Sequence, residues 1–267
     1  MVDTSEKFSW LVRMGFAARG LTYILLGYIA LTSRTDAEAG GSAAYDMVQD
    51  GPLGGPVLWL MTAGLVAYVI FRLLCAISDL QHRGTDLTGI TKRIGDAASA
   101  VAHAFLAYAC FQFASGSQRS SKGDGDSAEM AGSVLDMELG WIVILMLGAG
   151  FIVASFMQAK TAWTAHFMHR ISRSAPAIAC PVGRAGHLAR AIVFLLIGWS
   201  MIVGAWAERE ERVKGLGEVI TSLRETGAIY VAVAAGLILF GVFSLFTARY
   251  RIIPEFGAEG LKPHFRA

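Results

Sequence analysis

Asp96 and His103 lie seven residues apart, two helical turns along one face. A carboxylate and an imidazole in line within an apolar segment could shuttle a proton or gate an ion path. His187 takes the place of Asp96 in another copy of the same phrase, described below, and Arg19 and Arg190 share a position too. If the helices carrying them surround one axis, Asp96, His187, Arg19 and Arg190 meet near one membrane surface. His103 and Tyr23 then sit about 10 Å deeper. The plainer expectation for His103 is a hydrogen bond to a neighbour such as Tyr23 or to a backbone carbonyl. For Arg72 it is a structural ion pair. Asp79 shares its face two turns on, Asp96 is an alternative partner, and the long side chain could instead snorkel.

Other chemistries find little support. A bis-histidine haem needs two histidines at matched depth, and only His103 is well inside an apolar run. His166 and His169 lack carboxylate or cysteine company in their loop, so no metal site is expected. Asp124, Asp126 and Glu129 are acidic but lack the twelve-residue calcium pattern. Cys75, Cys110 and Cys180 show no CxxC spacing, which argues against zinc and against a disulfide framework. No zinc-protease, nucleophile-elbow or nucleotide-loop motif occurs in a supporting context. The chain is therefore not read as an enzyme, and no catalytic residue or cofactor is assigned. The basic residues are dispersed, so nucleic acid is not expected as a partner.

The elements that must position these residues are legible in the charge gaps. Of 267 residues, 54% are hydrophobic and only 16% charged, against about 25% charged in soluble domains. Gly51–Phe71, Ala97–Gln118, Leu139–Ala159, Ala191–Ala207 and Thr226–Ala248 contain no charge. Gly20–Ser33 is shorter and needs Arg19 to reach back toward the headgroups. A bilayer core is crossed by about 20 apolar residues in a helix. The expectation is an all-α integral membrane protein with six transmembrane helices. Buried helices of a soluble protein would need more polar faces, and a membrane barrel would alternate in polarity. The polar start "MVDTSEKFSW" shows no cleavable signal, so the first helix is expected to be an uncleaved anchor.

Charge also suggests the orientation. The N-terminus, the 79–96 and 160–190 loops and the tail after Ala248 hold 15 Lys/Arg and 7 Asp/Glu. The opposite loops, 34–50, 119–138 and 208–225, hold 7 and 14. Positive loops stay cytoplasmic, which puts both termini inside. The acid-free 160–190 loop carries "AWTAHFMHR", which could lie flat at the interface as an amphipathic helix.

One phrase recurs three times: "RMGFAARGLTYILLG" from Arg13, "RIGDAASAVAHAFLA" from Arg93 and "RAGHLARAIVFLLIG" from Arg184. A glycine follows each copy at the centre of the next span: Gly64, Gly150 and Gly236. The chain divides into three helix pairs, 8–86, 87–175 and 178–255, within a single membrane domain 1–267. Each pair starts and ends on the same side. Parallel-topology repeats of this kind imply pseudo-threefold symmetry about the membrane normal. Gly20 and Gly27, Ala100 and Ala107, and Ala191 and Gly198 fall on one stripe of their helices. They are expected to form a packing seam that draws the helices about a common centre. Arg13, Arg93 and Arg184 are expected to snorkel or to cap the C-termini of neighbouring helices, as are Arg19 and Arg190. A sharper reading of the arginines is an anion or lipid-headgroup site at the cytoplasmic mouth. Ser99 replaces the second arginine in the middle copy.

The thrice-repeated R-x-G-x-x-A-R-G phrase resembles the bacterial membrane family called domain of unknown function 1206. Arg13, Gly15, Ala18, Arg19, Gly20 and Gly27 match it in full. Arg184, Gly186, Ala189, Arg190 and Gly198 match with Ala191 in place of glycine. The resemblance spans about residues 8–255 and implies a bacterial inner-membrane location. It supplies no catalytic residues. The expected partners are the lipid bilayer and a membrane protein or a second copy of the chain. The reading is a non-catalytic scaffold or accessory subunit, with a channel along the axis as the alternative. No proline falls mid-span, which ranks a transporter with broken helices lower.

Overall fold

The structure is a computed structural model and describes residues 4–32, 40–51, 53–81, 84–117, 132–137, 139–207, 213–214, 219–220, 222–223 and 226–253. Asp124, Asp126 and Glu129 lie outside the described residues. The protein is all-helical. Its long helices are α1 (Thr4–Thr32), α3 (Gly54–Ile77), α4 (Leu87–Ala114), α5 (Gly140–Thr164), α6 (Ala179–Ala207) and α7 (Ala228–Tyr250). A short α2 (Gly40–Gln49) lies between the first two. All six long helices have the length and hydropathy to cross a bilayer. Pro56 and Pro181 sit in first turns, where no intrahelical N–H is lost. Asp86 caps α4 by accepting from the Gly89 amide at 3.2 Å.

The helices are ordered α5–α6–α7–α1–α3–α4, each packed on the next. The tightest packing joins successive repeats: α3 to α4, α5 to α6, and α7 back to α1. Counted as membrane spans in chain order, α1, α4 and α6 are the odd spans and α3, α5 and α7 the even ones. At each of these junctions an arginine opens the odd span and holds the end of the even span beside it. Arg13 donates to the carbonyls of Ala248 at 2.8 Å and Arg249 at 2.5 Å. Arg93 donates to Ala76 at 2.7 Å and Ile77 at 2.9 Å. Arg184 donates to Trp163 at 3.2 Å. A cation there satisfies carbonyls that a helix end leaves without an amide partner.

The small residues pack these same junctions. A Cβ built on Gly20 would stand 2.8 Å from the Gly241 carbonyl oxygen, and one on Gly27 would stand 2.6 Å from that of Ala234. Gly198 faces Gly148 in the same way, at 2.7 Å. The Ala191 carbonyl accepts from the Ser155 hydroxyl at 2.7 Å. Ala100 and Ala107 are buried on α4, and Ala107 joins the apolar cluster of Leu58, Met61 and Leu65 on α3. The stripe therefore seats each odd span on an even span of another repeat. It does not draw the odd spans about a common centre. Backbone contact is the reason, because a side-chain-free stripe fits best against another helix's carbonyl ridge.

Within a repeat the packing differs from copy to copy. In the first, Gly15 lies under Tyr68 and Gly64 under Ala18. In the third, Gly186 lies under Phe240 and Gly236 under Ala189. In the second, Gly95 and Gly150 have nothing within 4 Å of a built Cβ. Both are exposed, and so is Ala98 between them in register. The α4–α5 pair is thus open where α1–α3 and α6–α7 are closed.

The segment 162–170 does not form one flat interfacial helix. Helix α5 ends at Thr164, Ala165 turns left-handed at φ 50°, and a short 3-10 turn runs over His166–Arg170. Phe167 is thereby driven inward, 4.7 Å from the Phe243 ring and stacked 5.1 Å from His187. The strand-like bridge of Ile171 with Arg251 ties this turn to the end of α7.

Candidate functional site

The even spans supply two positions, four and eight residues past the landmark glycine. They are Tyr68 and Arg72 in the first repeat, Ala154 and Gln158 in the second, and Phe240 and Ser244 in the third. One turn separates the two, so both face the same neighbours. The second of them reaches an odd span of another repeat in every copy. Arg72 pairs with Asp96. The Gln158 side-chain carbonyl accepts from His187 Nδ1 at 2.6 Å. Ser244 accepts from Arg19 Nη2 at 3.0 Å.

Tyr68 is the centre of the polar contacts. Its hydroxyl accepts from Arg19 Nη1 at 2.5 Å and from Arg72 Nε at 2.8 Å. His103 lies beside the same ring, with centroids 4.6 Å apart. Its Nδ1 donates to the Ser99 carbonyl at 2.7 Å, and its Nε2 is buried without a partner. The structure thus joins Arg19, Arg72, Asp96 and His103 through one tyrosine. His187 stands farther round, between Phe167, Phe240 and Phe243.

Arg190 has a different environment. It is only 9% exposed. Its guanidinium carbon lies 4.4 Å from the Phe240 ring centroid, 4.8 Å from that of Phe194 and 5.4 Å from that of Tyr23. Phe240 is the counterpart of Tyr68 but has no hydroxyl to offer. Arg190 Nε is buried without a hydrogen-bond partner. Arg19, 5% exposed, leaves its own Nε without one. Among the described residues, neither guanidinium pairs with a carboxylate. Each cation–π contact is worth up to about 2 kcal/mol when desolvated. The effective cost of burying an ion is several kcal/mol. Aromatic faces therefore offset the burial of these cations without cancelling their charge.

Positive charge is crowded at the membrane-surface end as well. Arg251, just past α7, stacks on Phe16 and Phe71. Burial first, then Arg170 and Arg72, push its guanidinium below the ordinary value. His166, in the turn after α5, is lowered by burial and by His169.

Sequence reasoning missed Tyr68, Phe240, Ser244 and Gln158. The signal was present in their common register with Gly64, Gly150 and Gly236.

The three repeats also appear in comparisons with other proteins. The family pattern described as Domain of Unknown Function (DUF1206) matches residues 14–79, 94–165 and 185–251. The chain is 30% identical over 251 residues to the Uncharacterized protein YxxB of Bacillus subtilis (strain 168), covering 90% of each. No solved structure matches the chain. Six membrane-crossing helices make this a multi-pass protein in contact with lipid. With a separate match to each helix pair, the chain belongs to the family of domain of unknown function 1206.

Proposed function

We propose that the protein is a non-catalytic scaffold or accessory subunit of a bacterial inner-membrane complex, with both termini cytoplasmic. The open face of the second repeat carries this reading. In the first and third repeats the same glycine surface receives a helix: Gly15 and Gly64 in one, Gly186 and Gly236 in the other. Gly95, Ala98 and Gly150 keep that surface, but among the described residues no helix lies against Gly95 or Gly150, and Ala98 is exposed. A transmembrane helix of a partner protein is the occupant whose shape it fits, because close backbone approach is what small residues permit. The charge segregation between loops supports the orientation.

The test is native purification in mild detergent. The expected result is a stoichiometric complex with a second membrane protein. Gly95→Trp with Gly150→Trp should release that partner while the chain stays folded. A monomer from native membranes, or a complex indifferent to both tryptophans, overturns the reading. A complex made only of this chain would replace the partner with a second copy.

The alternative is a passage for an ion or small solute through the bundle. Arg19, Arg190 and His103 inside the apolar helices favour it. Liposome flux abolished by His103→Ala would establish it.

A further inference from the structure

The Arg19–Arg190 region holds two buried guanidiniums on one aromatic ring. Arg190 lies 4.4 Å and Arg19 5.0 Å from the Phe240 centroid. Arg72 is neutralised by Asp96, so among the described residues the region keeps a formal surplus of two positive charges. Two buried donors there lack partners, Nε of Arg19 and Nε of Arg190; His103 Nε2, an acceptor while Nδ1 donates, is unpartnered as well. Natural interiors satisfy almost all such atoms, so each one left over calls for an explanation.

The second repeat carries small residues at the matching positions. Ser99 stands where the other repeats place Arg19 and Arg190. Ala154 stands where they place Tyr68 and Phe240. This is also the repeat whose helices stand apart.

We infer that Arg19 and Arg190 form a binding site for a phosphate-class oxyanion, approached from the membrane-surface end of the bundle that Arg13 marks. Guanidinium forks match phosphate oxygens in charge and geometry. The aromatic rings fix the forks' planes and exclude the carboxylates that would otherwise compete. Arg19 lies six residues on from Arg13, about 9 Å into the bundle at ~1.5 Å per residue. That depth is within reach of a lipid headgroup drawn inward and of a free anion entering from the Arg13 end. The site does not depend on the partner proposed above.

The test uses the full chain with two probes. One is inorganic phosphate added to detergent-solubilised protein. The other is nanodiscs of phosphatidylcholine with or without phosphatidylglycerol. Thermal unfolding midpoints are read in both arms, with retained lipid measured by native mass spectrometry. Wild-type protein is expected to be stabilised by at least one probe. Arg190→Gln should weaken that binding by about tenfold or more, the loss of a charge-assisted contact. It should also raise the unliganded midpoint, because an unpaired buried cation has been removed. That second readout separates a lost site from a lost fold. Phe240→Tyr should weaken binding as well, by giving Arg190 an internal acceptor like the one Tyr68 gives Arg19. Arg184→Gln, on the surface, should leave binding unchanged. A response to phosphate alone assigns a free anion, and a response to phosphatidylglycerol alone assigns a headgroup. No response to either probe, or an equal response in Arg190→Gln, overturns the inference.

Discussion

The Tyr68 hydroxyl accepts from two guanidiniums that start from different helices. Removing it leaves both donors short of a partner in an apolar interior. Tyr68→Phe is expected to destabilise the protein by about 1–3 kcal/mol, the penalty for unsatisfied buried donors, measured by unfolding in detergent. Asp96→Asn should cost more, about 3 kcal/mol, because it strands the Arg72 charge. Arg72→Met combined with Asp96→Leu should recover most of that loss. If the single and double variants are equally unstable, the pair is not what holds α3 to α4. An ion pair at Arg72 was legible because charges are rare in this sequence, but Asp79 and Asp96 were both open as its partner. Tyr68 and Phe240 were not, because an aromatic residue inside an apolar run carries no mark of its own. Only a comparison of the even spans in register shows that one position alternates between a ring with a hydroxyl, a ring without one, and a methyl group.

At the scale of the helices, the same letter does different work in different copies. Gly64→Leu and Gly236→Leu are expected to separate their helix pairs, since a Cβ at either position already collides with an alanine across the interface. Gly150→Leu puts its Cβ where nothing stands within 4 Å. It should leave the midpoint unchanged or raise it slightly, since glycine costs a helix about 1 kcal/mol. Comparable destabilisation by all three substitutions would show that the second pair is closed. The six spans were readable from gaps in charge, and the stripe from its 3.6-residue period. The open pair was not readable from the glycines, because Gly95 and Gly150 are retained where their contacts are gone. What changes is the facing residue, from Tyr68 and Phe240 to Ala154. The seam's location was misjudged for a related reason. A small-residue stripe says that a helix comes close, but it does not say which helix.

For the whole molecule, the junctions between repeats tie the bundle together more tightly than the hairpins themselves. Cysteines at Gly27 and Ala234, in a background lacking Cys75, Cys110 and Cys180, should cross-link within the chain with a short reagent. Cysteines at Gly95 and Ala154 should not. The reverse pattern would mean that the order of helices is wrong. The return of α7 to α1 also bears on how the protein is made. Helix α1 finds its tightest neighbour in α7, so during translation the Gly20–Gly27 face must wait, bare in the lipid, for about two hundred residues to be threaded. A nascent chain stalled before residue 228 would then be a bundle missing its keystone. Its first span would be available to insertion chaperones or to the wrong helix, and the interval before release would be its most vulnerable moment.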